Sequence, residues 1–366
     1  MTKLRVGLLF GGRSTEHEVS VTSATNVLRA LDPARYEAVL IGIDHDGHWY
    51  LADADRGLLP EAVFSSANAT QVAPTPHGGL TLLRTHGEGS ALAAPLDVVF
   101  PITHGRFGED GTLQGLLELA GVAYVGSGVL GSALCMDKVA SKRVLRDAGI
   151  PVVDWLETSS DEIRRDPDAF VRAAAESFGF PCFAKPVNTG SSVGIHKAHS
   201  REELVRALQD AARYDLRVMV ERAIDAREVE CSVLGGYRPE VSCVGEIIPS
   251  NEFYDYEAKY VSEETRLVIP ARIPERVAEQ IKSYAARAFQ TTDCWCMARV
   301  DFFLTRQGGE IYLNELNTLP GMTEGSLYWR AWEASGIALP ELCHRLIELA
   351  LERHRERRAL ELRYRV

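Results

Sequence analysis

The chain contains no Gly-Lys dipeptide, which excludes a Walker A loop as its means of holding a nucleotide. Positive charge is short: 40 lysines and arginines face 51 aspartates and glutamates, for a formal net charge of −11. Nucleic-acid affinity comes largely from cations on phosphates, so that class of partner is excluded, and any phosphate site must be a local concentration of positive charge. Cysteine is sparse and unpatterned. The seven cysteines are scattered, and the close pair Cys294 and Cys296 has no second Cys/His pair nearby to complete a zinc site. An odd number, in a chain without a secretory signal, predicts reduced thiols and a cytoplasmic location. Long apolar runs are missing as well. The start, MTKLRVGLLFGG, is too short in apolar residues for a signal peptide, and the uncharged stretch Leu119 to Met136 is broken by Gly121, Gly126, Gly128 and Gly131. Strand, turn and helix fit that stretch better than a membrane span, so no membrane partner is expected.

What is present is an ordinary globular composition, 46% apolar and 25% charged, in 366 residues, enough for two or three domains. The most informative stretch runs from Arg299 to Ser326, RVDFFLTRQGGEIYLNELNTLPGMTEGS. Side chains alternate along a strand, so Arg299, Asp301 and Phe303 share one face, and by the same rule EIYLNELN puts Glu315 and Asn317 on a common face. A hairpin closing near Gly308 brings these opposite Asp301. Two carboxylates, an amide and a guanidinium then converge. Like charges this close repel unless a cation lies between them, and an all-oxygen set with few protein ligands suits Mg²⁺ carrying phosphate oxygens.

Leu4 to Phe10 reads as a strand that feeds Gly11 and Gly12, then RSTEHEVS and a helix with apolar positions at Ala24, Val27, Leu28 and Leu31. Thr15 and Glu18 have the spacing of a capping box. Strand, glycine turn and helix are how open α/β sheets present ligand sites, which puts Glu16 and His17 at the crevice. Tyr36 to Asp44 predicts a second strand, and Asp46 to about Pro95 an insertion with weak hairpins. LDVVFPIT predicts a third strand, after which HGRFGEDG carries His104 into the helix TLQGLLELAG. Gly121 to Val125 closes a small βαβ domain. Gly126, Gly128 and Gly131 match G-x-G-x-x-G, yet no acidic residue ends a strand before Asp154 and the match follows a complete βαβ unit. It reads as a tight domain-crossing turn instead of an NAD site.

MDKVASKRVLRDAG predicts a basic helix. In FPCFAKPVNTGSSVGIHKA a strand ends at Lys185 and Pro186, and Gly190, Ser191, Ser192 and Gly194 follow. Glycine lets backbone N–H groups approach phosphate oxygens and serine adds donors, so this is read as a phosphate-covering loop. Val218 to Glu221 predicts a strand whose exit offers main-chain groups to an adenine ring, with Glu228 one short loop later for a ribose. SNEFYDYEAKYVSEET has neither helical nor strand period and reads as a functional loop working through Lys259 and Tyr260. The helix Glu275 to Gln290 leads back to the hairpin, and an Arg-rich helix with a solvated face ends the chain.

Taken in order, GGRSTEHEVS, HGRFGEDGTLQG, GSGVLGSALCMDK, FAKPVNTGSSVG, EFYDYEAKY, ARVDFF and NELNTLPGMTEGS resemble the D-alanine:D-alanine ligases, an ATP-grasp family, over nearly the whole chain. The resemblance implies an α/β (α+β) ATP-grasp fold. Residues 1–126 would be a Rossmann-like domain with the first D-alanine site, 127–220 a central subdomain with the phosphate loop, and 221–366 a C-terminal subdomain with the metal and the second D-alanine site. It also implies ATP-dependent joining of two D-alanines through an acyl phosphate for peptidoglycan precursors, with two Mg²⁺ ions, or Mn²⁺ in their place, in a cytoplasmic homodimer.

By position, the resemblance gives Lys138, Lys185, Ser191 and Ser192 to the ATP phosphates, with Lys259 also on ATP, Glu221, Arg222 and Ile224 to the adenine and Glu228 to the ribose. Asp301, Glu315 and Asn317 are the implied metal ligands. Arg299 would stabilise the transferring phosphoryl group and the tetrahedral intermediate, with the Gly321 N–H as oxyanion donor. Glu16, with His104, would take the first D-alanine and link through Ser191 to Tyr260, while Lys259 and Ser326 would hold the second substrate's carboxylate. Tyr260 argues for D-alanine over D-lactate as acceptor. Arg106 and Trp329 stand where proline is common in the family, and Thr292 to Met297 is unusually polar and Cys-rich. Competing readings are a D-alanine:D-lactate or D-alanine:D-serine ligase of the same fold, an NAD-dependent oxidoreductase using Gly126 to Gly131, and a nucleotide-binding regulator without turnover.

Overall fold

A computed structural model of the chain describes residues 3–53, 60–64, 69–76, 80–85, 91, 95–249 and 265–361. Lys259 and Tyr260 lie outside the described residues. The first sheet has the order β5-β4-β3-β2-β1-β6-β7. Its strands are β1 (Leu4–Gly11), β2 (Tyr36–Ile43), β3 (Trp49–Asp53), β4 (Thr70–Pro76), β5 (Leu80–Arg84), β6 (Val98–Pro101) and β7 (Ala123–Tyr124). The pairs β1–β2, β1–β6 and β6–β7 are parallel. Alternate residues of β1 go to opposite faces, as a strand buried on both sides requires. Leu8 and Phe10 pack with helix α1 (His17–Ala30), while Leu9 packs with helix α2 (Thr112–Ala120). The order reverses between β1 and β6, and the loops leaving their carboxyl ends carry Glu16 and His104 to one crevice.

The stretch expected as an insertion with weak hairpins contains, among its described residues, three strands paired in series. β3, β4 and β5 extend the sheet antiparallel from β2. The capping box at Thr15 and Glu18 does not form: α1 starts at His17 with Glu16 as its N-cap and no side-chain cap. The Glu16 carboxylate instead accepts a hydrogen bond from Ser191 across the crevice.

Helices α3 (Val129–Met136) and α4 (Lys138–Asp147) lead to a four-stranded antiparallel sheet, β10-β9-β11-β8. It comprises β8 (Trp155–Ser159), β9 (Cys182–Pro186), β10 (His196–Ala198) and β11 (Arg217–Arg222). Helices α5 (Ser160–Arg165), α6 (Asp168–Phe178) and α7 (Arg201–Ala211) cover one face through Ala184, Val218, Val220, Val171 and Leu208. On the other face Met219 packs with Val139 of α4 and Val187, while Lys185 and Glu221 line a cavity.

The third sheet has the order β15-β14-β12-β16-β17, with β13 also on β12. Its strands are β12 (Ala226–Gly235), β13 (Glu240–Val241), β14 (Gly245–Ile248), β15 (Arg266–Val268), β16 (Cys296–Thr305) and β17 (Ile311–Asn317). Helix α8 (Glu275–Thr291) packs on it through Ile281, Ala285 and Phe289. Helices α9 (Leu327–Ala334) and α10 (Leu339–Arg358) join its far side to the first sheet, since Trp332, Leu346 and Ile347 share a core with Val6, Leu8 and Val98. No helix among the described residues is long and apolar enough to cross a membrane.

The G-x-G-x-x-G match is internal packing. A Cβ on Gly131 would lie 2.4 Å from the Asp293 carbonyl oxygen, and one on Gly128 would strike the Arg353 guanidinium. These glycines let α3 and α10 close on the rest of the chain, so they face protein atoms instead of forming a pyrophosphate cradle.

Candidate active site

β16 and β17 pair antiparallel with Arg299 opposite Asn317 and Asp301 opposite Glu315. Val300, Phe302 and Leu304 turn into the α8 core, which leaves Arg299 and Asp301 on the cavity face. In β17, Ile311 and Leu313 point into that same core, so strict alternation would bury Glu315 beside them. The register instead shifts by one residue, leaving Asn314 unpaired between Leu313 and Glu315. This bulge makes Leu316 the next core residue and turns Glu315 and Asn317 into the cavity.

Arg299 donates from Nε to Asp301 Oδ1 (2.8 Å) and from Nη2 to Asp301 Oδ2 (2.7 Å), and its Nε lies 2.9 Å from Glu230 Oε2. Burial works against the guanidinium charge, but Asp301 and Glu230 hold it firmly protonated. Asn317 Nδ2 also donates to Asp301 Oδ2, at 3.0 Å. Two carboxylates and an amide thus offer all-oxygen donors on facing strands, which fits a hard divalent cation.

The facing wall belongs to the four-stranded sheet. Ala184 and Val220 go to its helical face, so their neighbours Lys185 and Glu221 point to the cavity. Glu221 ion-pairs with Lys185 and, at 2.5 Å, with Lys142 from α4. Burial pushes the Glu221 carboxyl up, but the two ammonium groups prevail and hold it down at about 2. Lys138 stands at the start of α4, where Asp137 caps the helix by accepting from the N–H of Val139 and Ala140. Its Nζ donates to the Thr189 carbonyl at 2.6 Å and lies 3.8 Å from Glu315 Oε2, linking the glycine-serine loop to the hairpin. Arg222, Ile224 and Glu228 line the same cavity.

Above it, Ser191 and Ser192 hold left-handed backbone conformations, φ 49° and 58°. Non-glycine residues rarely do so, and such strain concentrates where a loop must aim its donors at a ligand. Gly190 lets the loop come close to Glu16: a Cβ there would sit 2.7 Å from Glu16 Oε2, which would have to shift. The bond from Ser191 to Glu16 joins this loop to a second cavity, lined by His104, Gly321 and Ser326. Glu16, Ser191, Arg299, Glu315 and Asn317 line both cavities, so the two meet at the guanidinium.

In the second cavity His104 Nδ1 lies 2.8 Å from the Leu319 carbonyl, which only an N–H on that nitrogen can satisfy. Burial pushes its pKa down, so the ring is neutral and its buried Nε2 carries a lone pair that meets no hydrogen-bonding partner among the described residues. Trp329 donates from Nε1 to the Thr323 carbonyl at 2.7 Å, and the Thr323 and Ser326 hydroxyls are 2.9 Å apart. The tryptophan therefore braces the turn before α9. Arg106 points outward to the Tyr214 carbonyl.

Three residues escaped the sequence reading. Glu230 was findable, because it follows Glu228 by two on one strand and pairs with Asp301. Lys142 was findable as the i+4 neighbour of Lys138 on α4. Glu109 carries no local signal; it accepts from the N–H of Gly105 (2.8 Å) and of the distant Leu319 (3.0 Å). Burial pushes its carboxyl up to about 8, Glu16 adds to the rise, and the two N–H donors restrain it.

Three sheets around a lysine-lined cavity, roofed by a glycine-serine loop and floored by a carboxylate hairpin, define an ATP-grasp ligase. The family descriptions "D-ala D-ala ligase N-terminus" and "D-ala D-ala ligase C-terminus" match residues 5–127 and 144–348. The chain is 47% identical to the D-alanine–D-alanine ligase of Thermoanaerobacter sp. (strain X514), covering 98% of this chain and 99% of that one. It is also 47% identical to the D-alanine–D-alanine ligase A of Chromobacterium violaceum, covering 98% of each. Among solved structures, the D-alanine-D-alanine ligase from Coxiella burnetii superposes with a TM-score of 0.86 at 38% identity, covering 98% and 97% of the two chains. VanG D-Ala:D-Ser ligase from Enterococcus faecalis gives 0.83 at 34% identity, covering 95% and 100%. The chain belongs to the D-alanine:D-alanine ligase family, and its reaction is the ATP-dependent joining of two D-alanines for peptidoglycan synthesis. The oxidoreductase and the alternative acceptors are not favoured.

Proposed function

We propose that this reaction runs at the junction of the two cavities, with the nucleotide in the first and both D-alanines in the second. The supporting observation is the set of residues common to both, with Arg299 at the meeting point. In this reading residues 1–126, 127–220 and 221–366 are three domains with ATP between the last two. Glu221, Arg222 and Ile224 hold the adenine, Glu228 the ribose, and Lys138, Lys185, Ser191 and Ser192 the phosphates. Glu16 and the Nε2 lone pair of His104 take the first D-alanine's ammonium. Its carboxylate oxygen attacks the γ-phosphorus, the bond to the bridging oxygen breaks, and ADP leaves. The amine of the second D-alanine, whose carboxylate rests on Ser326, attacks the acyl phosphate carbonyl. Arg299 and the Gly321 N–H receive the oxyanion, which collapses with loss of phosphate, the proton of the attacking amine leaving with it. Positioning alone supplies about 7–11 kcal/mol of barrier lowering, and each aimed donor about 3 kcal/mol.

Asp301, Glu315 and Asn317 would hold the two Mg²⁺ ions, which would supply cationic charge against that of the phosphates. Lys259 and Tyr260 are assigned to ATP and acceptor from the family pattern. The same pattern gives a homodimer, and seven free thiols agree with work in the reducing cytoplasm. The test is phosphate release from ATP and Mg²⁺ with D-alanine, L-alanine and D-lactate in parallel: release is expected with D-alanine, and release with L-alanine but not D-alanine contradicts the reading. Asn317→Asp is expected to keep the fold and upset the charge balance at the metal; unchanged activity removes the metal assignment.

A further inference from the structure

Beyond Asn317 the chain leaves its sheet and runs through Thr318, Leu319, Pro320, Gly321 and Met322. Its hydrogen bonds on either side of Gly321 come from residues earlier than 127. The Leu319 N–H donates to Glu109 Oε1 (3.0 Å), and the Leu319 carbonyl accepts from His104 Nδ1 (2.8 Å). The Met322 N–H donates to Ser23 Oγ (3.0 Å), and the Met322 carbonyl accepts from Asn26 Nδ2 (2.9 Å). Leu319 and Met322 are themselves buried in the core shared with Phe10, Ala24 and Val27. Both flanking residues are therefore pinned at their N–H and their C=O. Between them Pro320 has a fixed φ, so few dihedrals remain by which the Gly321 N–H could turn away. Glu109 is fixed in turn by the Gly105 N–H at 2.8 Å, and Ser23 is wholly buried.

We propose that Glu109, Ser23 and Asn26 are positioning residues that hold the Gly321 N–H against the carbonyl of the acyl phosphate. The first sheet and its loops thus complete the oxyanion site of a segment that belongs in sequence to the C-terminal part. This rests on the assignment of the Gly321 N–H made above. Two-sided hydrogen bonding of this kind is more than a docking contact, because misplacement by about 1 Å costs about 10²-fold in rate.

Ser23→Ala, Asn26→Ala and Glu109→Gln in the full chain test this. For each, kcat for dipeptide formation is expected to fall about 10- to 100-fold, with the KM for ATP unchanged. Phosphate released per dipeptide is expected to rise above one, because acyl phosphate that aminolysis fails to capture is hydrolysed. A merely structural role lowers the melting temperature and leaves that ratio at one, and this result in all three overturns the inference. Gly321→Pro, which deletes the donor, separates the two levels. An uncoupled Gly321→Pro beside three coupled variants overturns the inference alone, and a coupled, folded Gly321→Pro overturns the assignment on which it rests.

Discussion

The two walls of the first cavity, where the nucleotide is proposed to bind, are charged in opposite senses. On one side Lys185 of the four-stranded sheet and Lys142 of α4 share one carboxylate, Glu221, with Lys138 of α4 close by. On the six-stranded sheet one guanidinium, Arg299, faces three carboxylates, Glu230, Asp301 and Glu315. Each wall is stable only in part by itself, since buried like charges repel and the excess must be met from outside. A polyphosphate satisfies the first and a cation the second. Under the proposed assignment, a nucleotide carrying a divalent ion would supply both at once.

The largest effect is expected at Glu221. Glu221→Gln removes the one carboxylate between two buried ammonium groups and is predicted to cost about 3–5 kcal/mol of stability by denaturant unfolding; a loss under about 1 kcal/mol would show that the cationic wall does not depend on this pair. The wild type carries the same dependence on pH. The folded-state pKa of Glu221 lies below its ordinary value of 4.5, at about 2. Its contribution is complete above 4.5 and is lost as pH falls toward 2, and Glu221→Gln should remove that part of the acid slope. On the opposite wall, Arg299→Met leaves three carboxylates without their cation and the moving charge without its donor. A fall of about 10²–10³-fold in kcat is expected, and a variant within tenfold of wild type would move the transferring phosphoryl group elsewhere. Glu230→Gln sharpens the comparison with a smaller change. It keeps a hydrogen-bond acceptor for Arg299 but withdraws one charge, and about a tenfold loss in kcat is expected, equal to about 1.4 kcal/mol.

Much of this was legible in the sequence because it depends on local periodicity. The faces of β16, the strand ending at Lys185 and the glycine-serine loop follow from spacing alone, and the ordered motifs identify the family. The bulge at Asn314 was not legible, although it decides where Glu315 points, because a one-residue slip leaves no mark in composition. The capping box at Thr15 does not form because the helix starts one residue later, with Glu16 in the N-cap position. Glu109 was missed because its partner Leu319 is 210 residues distant. The strands of the insertion are stabilised by pairing onto β2, a tertiary effect that outweighs weak local preference.

Opposed charge on the two walls is the central claim, and nucleotide binding tests it without turnover. A non-hydrolysable ATP analogue titrated calorimetrically into the wild-type chain is predicted to bind about 10- to 100-fold more tightly with Mg²⁺ than with a chelator, and Asp301→Asn combined with Glu315→Gln is predicted to abolish that difference. Equal affinity with and without Mg²⁺ in the wild type would contradict the account.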